Sequence, residues 1–251
     1  MQPDFYDPIF LKGNRNIGVL MLHGFTGTPK SVEPWAQGLN KKGFTVYVPL
    51  LAGHASDWRE MARHDWGDWL QSAEEALSDL EQQVDEVFVA GFSMGGTIAS
   101  RLTQLFPDRI SGVILLNPTI YDNHIRMIAS RFLAWLIPSI KAEGTDVAKS
   151  DPIITSQQRV SLRAANSLHK FRHIVRRDLP LIKTPIKIFL SVNDNVVPYS
   201  NGLLISNSVR SERNEIHFFE KSFHVVPQDY ENEELVEASA DFVYSLSPVQ
   251  I

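Results

Sequence analysis

Ser93, Asp194 and His224 are three side chains that together can activate a hydroxyl for attack. Ser93 lies in Gly91-Phe92-Ser93-Met94-Gly95-Gly96, straight after the apolar run Val87-Phe88-Val89-Ala90. A serine hydroxyl is a poor nucleophile until a base takes its proton. A sharp turn between a strand and a helix would lift Ser93 clear of the sheet edge. Glycines at 91 and 95 remove Cβ atoms that would clash in so tight a bend. The following helix would offer a dipole and free N–H groups to developing negative charge. Without chemistry, the same segment is a glycine-rich turn with a capping serine.

Such a serine needs an imidazole and a carboxylate from elsewhere in the chain. Of the eight histidines, His224 lies just after the strand candidate 214–219, in Ser222-Phe223-His224-Val225-Val226. Asp194 lies just after the strand candidate 186–192, in Val192-Asn193-Asp194-Asn195-Val196-Val197-Pro198. Both are expected at the carboxyl edge of a sheet with Ser93, in the chain order serine, aspartate, histidine. Taken singly, His224 reads as a loop histidine and Asp194 as a turn former. Glu220 and Asp229 are nearer to His224 in sequence, but neither follows the penultimate strand. They are fallback acids. Acyl transfer also needs preorganised donors for an oxyanion. The N–H of Met94 is one candidate. The other is the N–H of Phe25, in His23-Gly24-Phe25-Thr26-Gly27, and the Phe25 ring could wall an acyl pocket. His23 reads better as a loop brace than as a catalyst.

The elements that must position these residues follow from the hydrophobic pattern. Strands are expected at 17–22, 45–49, 86–90, 113–116, 186–192 and 214–219. Helices are expected at 29–42, capped by Thr28 and ended by Gly43, along the face Trp69 to Val84, at 94–106 and at 233–245. Strands alternating with helices imply βαβ units and a mostly parallel sheet, and their near-continuous apolar character fits a sheet covered on both faces. The rhythm breaks after Asn117-Pro118. Residues 121–178 show helical patches and no convincing strand. The expectation is an α/β core domain from 1–120 and 179–251, with a helical cap insertion at 121–178.

The chain has 251 residues, 43% hydrophobic and 21% charged, with a net charge of −5. That is enough for a large core without staples. The acidic balance argues against nucleic-acid binding. The absence of cysteine removes a disulfide scaffold, a Cys-ligated metal site and a thiol nucleophile together. The longest apolar run, Phe132 to Ile137, is far short of a membrane span. The start carries Asp4 and Asp7, no basic residue before Lys12 and no apolar stretch, which is unlike a secretory signal. Cytoplasmic residence is the expectation.

The sequence resembles the α/β-hydrolase superfamily and, more narrowly, the bacterial carboxylesterase and monoacylglycerol lipase group. The resemblance rests on His23 to Gly27, Gly53-His54, the Trp66 to Trp69 stretch, Gly91 to Gly96, Asp194 with Val196-Val197-Pro198, and Ser222 to His224 followed by Asp229-Tyr230. It spans roughly Ile17 to Leu246. It implies Ser93 as nucleophile, Asp194 as acid, His224 as base, and Phe25 and Met94 as oxyanion donors. It implies that the cap lines an acyl tunnel. His54, with Asp57, resembles a loop motif of the family and is expected to brace the site entrance beside substrate. The expected activity is hydrolysis of carboxylic esters, monoacylglycerols or short-to-medium acyl esters, with no metal and no organic cofactor. The alternatives are a non-catalytic small-molecule-binding protein on the same fold, or another triad reaction such as carbon–carbon bond hydrolysis.

Two further features could bind an ion or a lipid surface. His169 and His173 could share a helix face like a metal pair. Lys170 stands where a zincin has glutamate, and Arg172, Arg176 and Arg177 crowd the site, so a solvated helix is the better reading. The segment between His124 and Lys183 carries a charge of +7, leaving −12 for the rest. With the apolar stretch Ile125 to Ile137, this makes the cap a candidate for transient membrane or lipid contact, beside its readings as an inner cap face or acyl-pocket lining. The sequence carries no signal of oligomeric state.

Overall fold

The computed structural model describes residues 7–54, 56–121, 137–142, 145–150 and 159–247. The first strands and helices are β1 (Ile9–Leu11), β2 (Ile17–Leu22), α1 (Glu33–Lys41), β3 (Thr45–Val48), α2 (Trp58–Met61) and α3 (Trp66–Glu81). Next come β4 (Glu86–Phe92), α4 (Met94–Leu105), β5 (Gly112–Leu116), β6 (Ser139–Lys141) and β7 (Arg159–Ser161). The last are α5 (Leu162–Arg177), β8 (Ile186–Ser191), α6 (Ser200–Ser208), β9 (Asn214–Phe219) and α7 (Asn232–Leu246). Seven strands form one sheet in the order β1-β3-β2-β4-β5-β8-β9, parallel throughout except for β1, which runs antiparallel to β3.

Both faces of this sheet are apolar, and the period-two pleat sorts them. Leu20, Leu22, Val87, Val89, Val113, Leu115, Ile188 and Leu190 face a core shared with α3, α4 and α5. Val19, Met21, Phe88, Ala90, Ile114, Leu116 and Phe189 face the other core, built with α1 and α7. The expected doubly covered parallel sheet is present. It leaves the carboxyl ends of β4, β5, β8 and β9 side by side at one edge, where a strand-to-helix chain can place reactive groups.

Several local expectations are corrected. The single helix expected over 29–42 is a 3₁₀ turn at Pro29–Ser31 followed by α1. Thr28 has the extended backbone of a cap, but its hydroxyl makes no capping bond, because its own carbonyl already accepts the Ser31 N–H at 2.9 Å. Gly43 ends α1 at a φ of +95°, as a glycine stop should. The stretch 121–178 does contain strands. β6 and β7 pair antiparallel, Ser139 with Ser161 and Lys141 with Arg159. Each is three residues long, too short to show alternation. Of the apolar stretch Ile125 to Ile137, all but Ile137 lies outside the described residues.

The helix α5 is welded to the core. Leu168, Phe171 and Val175 are buried in the first cluster. The Trp66 ring stacks on Phe171 with centroids 5.1 Å apart and planes 7° from parallel, and the Trp66 N–H donates to the Ser167 hydroxyl at 2.9 Å. Arg101 of α4 pairs with Asp178 at 2.9 Å, and the Gln104 amide donates to the Val175 carbonyl at 2.9 Å.

Candidate active site

β4 ends at Phe92 and α4 begins at Met94, so one residue makes the whole turn. That residue is Ser93, with φ 54° and ψ −115°, a region in which residues with a side chain are scarce. The turn survives because the residues two before and two after it, Gly91 and Gly95, lack a Cβ. One placed on Gly91 would run into the Gly95 carbonyl, and one on Gly95 into the Leu22 carbonyl of β2. The Ser93 N–H donates to the Leu116 carbonyl at 2.9 Å, which fixes the turn to the end of β5.

Asp194 and His224 meet at the same edge. His224 Nδ1–H donates to Asp194 Oδ2 at 2.6 Å. The Asp194 side chain is 1% exposed, and its Oδ1 accepts the Val196 and Val197 N–H groups at 2.8 and 2.7 Å. The carboxylate is thus held by its own turn and aimed at the imidazole. With Nδ1 carrying the proton, Nε2 presents a lone pair. The His224 ring lies against Phe92, the residue before Ser93, with centroids 4.8 Å apart. Among the described residues, the Ser93 hydroxyl makes no hydrogen bond to the His224 ring, a bond that in such sites commonly tightens only with substrate present.

The loop after β2 reaches the same point. A Cβ on Gly24 would lie 3.4 Å from the Cβ of Ser93, so the Phe25 segment runs directly beside the turn. Thr26 adopts a φ of 61°, which bends this loop tightly. Neither the Phe25 nor the Met94 N–H is spent on a turn or cap hydrogen bond among the described residues. The half-buried Phe25 ring meets Trp69 edge-on at 5.7 Å and His54 at 6.3 Å.

Behind Phe25 stand two buried histidines. His23 takes the Leu51 N–H on Nε2 at 3.3 Å and gives its Nδ1–H to the Gly24 carbonyl at 3.0 Å. It braces the loop to the segment after β3. Burial pushes its pKa down to about 4. His54 is 4% exposed, gives its Nδ1–H to the Ala52 carbonyl at 3.1 Å, and has its pKa pushed down to about 3 by burial and by nearby His23. Both rings are neutral at physiological pH. His54 backs Phe25 rather than lying open to solvent.

The family model Hydrolase_4, described as serine aminopeptidase, S33, matches residues 14–231. The chain belongs to this α/β-hydrolase family. The hydrolase is 33% identical to a thermostable monoacylglycerol lipase of Bacillus sp. (strain H-257), over 93% of this chain and 92% of the relative. It is 22% identical to a carboxylesterase of Bacillus subtilis (strain 168), over 90% and 91% of the two chains. Among solved structures, one from work on the metagenome-derived lipolytic enzymes LipS and LipT superposes with a TM-score of 0.93 at 30% identity. It covers 96% of this chain and 98% of that one.

His224 pairs with Asp194 and with neither fallback acid of the hydrolase. Asp229 is fully buried and accepts the N–H groups of Phe223, Tyr230, Ala148 and Lys149 at 2.8–3.2 Å. Glu220 is exposed and its main-chain carbonyl is held by Asn193 at 2.6 Å. His169 and His173 face each other on α5 with their Nε2 atoms 3.2 Å apart, and no group of three or more metal-ligating side chains forms among the described residues. In the sequence Asn117 marks only the point where the strand–helix rhythm breaks; the structure brings it to the site. It is buried at the end of β5, with a φ of 42°, and its side chain spans to β8 and to the His224 loop. An asparagine directly after a buried strand was the signal available, since this residue type tolerates that backbone.

Proposed function

We propose that the hydrolase cleaves carboxylic esters through an acyl-enzyme, with Ser93 as nucleophile, His224 as general base and acid, and Asp194 holding His224. The observation that carries the proposal is the 2.6 Å bond from His224 Nδ1 to Asp194, which leaves Nε2 as acceptor on a ring that packs against Phe92, the residue before the strained Ser93 turn. In the first step Ser93 Oγ bonds to the acyl carbon while His224 takes its proton. The carbonyl oxygen gains the negative charge and is held by the Phe25 and Met94 N–H groups. Collapse expels the alcohol, protonated by His224. Water then repeats the sequence on the acyl-enzyme and releases the acid. The reaction as drawn uses no metal or organic cofactor.

The substrate reading is a monoacylglycerol or a short-to-medium-chain ester. It is supported by the half-buried Phe25 ring on the loop that passes Ser93, which offers an apolar wall to an acyl chain, and by the likeness to a monoacylglycerol lipase. His54 acts on substrate by backing Phe25, and the insertion at 121–178 is read as the cap. No described helix is long and apolar enough to cross a membrane. Transient lipid contact through the basic insertion and cytoplasmic residence belong to the same reading.

The test is steady-state turnover of p-nitrophenyl esters of graded chain length, with mono-, di- and triacylglycerols in parallel. Repeated turnover, favouring monoacylglycerols or shorter esters and lost in Ser93→Ala, is the expected result. A single stoichiometric burst in wild type, or full turnover in Ser93→Ala, overturns the proposal.

A further inference from the structure

One acidic side chain beside the two catalytic loops has no part in the reaction as drawn. Asp146 comes from the insertion, in the described stretch 145–150. Its Oδ2 accepts the main-chain N–H of His224 at 3.1 Å and the main-chain N–H of Asn195 at 3.1 Å. Its Oδ1 accepts the Asn195 side-chain amide at 2.9 Å, and its carbonyl accepts the Val225 N–H at 3.1 Å. One carboxylate therefore bridges the loop after β8, next to Asp194, and the loop after β9, at His224 itself.

The stretch is secured on its other side too. The carboxylate of Asp229 takes Ala148 N–H at 2.8 Å and Lys149 N–H at 3.2 Å while also taking Phe223 N–H at 2.9 Å. Lys149 Nζ donates back to the Asp229 carbonyl at 2.9 Å, and Val147 packs against the core built with α1 and α7. The segment is a strap across the two loops.

We propose that Asp146 is a positioning residue that sets the spacing of Asp194 and His224. The proposal rests on reading Ser93, Asp194 and His224 as the triad. Asp194 and His224 lie on separate loops, yet their bond is 2.6 Å long. A bond that short holds only if both loops keep a fixed separation. The Asp146 carboxylate supplies the fixed point, because both oxygens accept and each loop offers N–H donors to it. Oδ2 takes both main-chain N–H groups, so an asparagine keeps them with its oxygen only by setting its NH2 against the Asn195 amide, whereas alanine removes every acceptor. Its hydrogen bonds go to loop backbone and to Asn195, so its action passes through the catalytic pair.

The experiment compares Asp146→Asn, Asp146→Ala and Asp146→Glu with Val147→Ala, which disturbs the strap without removing the Asp146 bonds. The readouts are kcat and KM for p-nitrophenyl butyrate, the rate at which a fluorophosphonate labels Ser93, and thermal unfolding. For the Asn and Ala variants, kcat and labelling rate should fall together by roughly 10–100-fold with KM little changed, the scale of a small catalytic misplacement. Asp146→Glu, which keeps both acceptors, should recover part of that loss. Val147→Ala should melt lower and keep its kcat. Wild-type kcat in Asp146→Ala overturns the proposal, as does a kcat that tracks melting temperature alike in all four variants. If the Asn and Ala variants do not fold, Asp146→Glu carries the test: a lowered kcat in a folded protein supports the proposal and a wild-type kcat overturns it. Ser93→Ala run alongside keeps two failures apart. Turnover there sinks the triad reading, whereas an inert Ser93→Ala with a fully active Asp146→Ala sinks the positioning role alone.

Discussion

Asn117 donates its side-chain amide to the main-chain carbonyl of His224 at 2.8 Å, across 107 residues of sequence. The same amide donates to the Ser191 hydroxyl at 3.1 Å, and its oxygen accepts the Ser191 N–H at 2.8 Å. The end of β5 thus fastens both the end of β8 and the histidine loop. Asn117→Ala would strand a buried N–H and a buried carbonyl, at a cost of about 2–5 kcal/mol. The expected outcome is a lower urea midpoint together with a lower kcat. A variant as stable and as fast as wild type would show that the bond holds nothing in place.

Asp194→Asn tests the acid directly. The shape is kept and Oδ1 can still take the Val196 and Val197 amides. The charge that stabilises imidazolium is gone, and the tautomer of His224 is no longer fixed. Turnover should drop by on the order of 10³–10⁴ with little change in unfolding. Turnover within a few-fold of wild type would point to a different acid.

The two buried histidines predict acid sensitivity. Their folded pKa values, about 4 for His23 and about 3 for His54, lie below the ordinary 6.5. Below pH 6.5 the unfolded chain binds protons that the folded chain refuses, so stability is full above that pH and falls as the solution is acidified toward 4. Each ring contributes a slope of up to about 1.4 kcal/mol per pH unit. Melting temperatures from pH 7.5 to 4.5 should fall for wild type and fall less steeply for His54→Phe. Identical slopes would remove His54 from the account.

Gly95→Ala adds one methyl group where the backbone carbonyl of Leu22 already stands. Backbone on both sides leaves no flexible side chain to yield. The variant should lose several kcal/mol, at the severe end of single substitutions. Soluble yield and urea midpoint measure this. Near-wild-type values would mean that the turn can open without penalty.

The catalytic edge was legible because each of its residues follows a strand that announces itself. The run before Ser93, Val87 to Ala90, is unbroken and apolar, the one before Asp194 is interrupted only by Lys187 and Ser191, and the one before His224 carries Ile216, Phe218 and Phe219. Short elements gave no such signal. β1 has three residues, with Phe10 exposed, and β6 and β7 pair three residues each across the insertion. α6 contains Ser-Asn-Gly and has no sharply apolar face, so nothing marked it as a helix. Asp146 was invisible for another reason. Its partners are main-chain N–H groups of distant loops, and an acceptor of backbone has no complementary residue type to betray it.

The backbone at position 93 sets durability against turnover. A residue without a side chain would rest there at no cost, whereas serine carries about 1–3 kcal/mol of strain. Ser93→Gly should accordingly melt higher than the native chain and, with Ser93 as the proposed nucleophile, hydrolyse no ester. A variant that melts lower would show that the serine side chain steadies the bend it sits in.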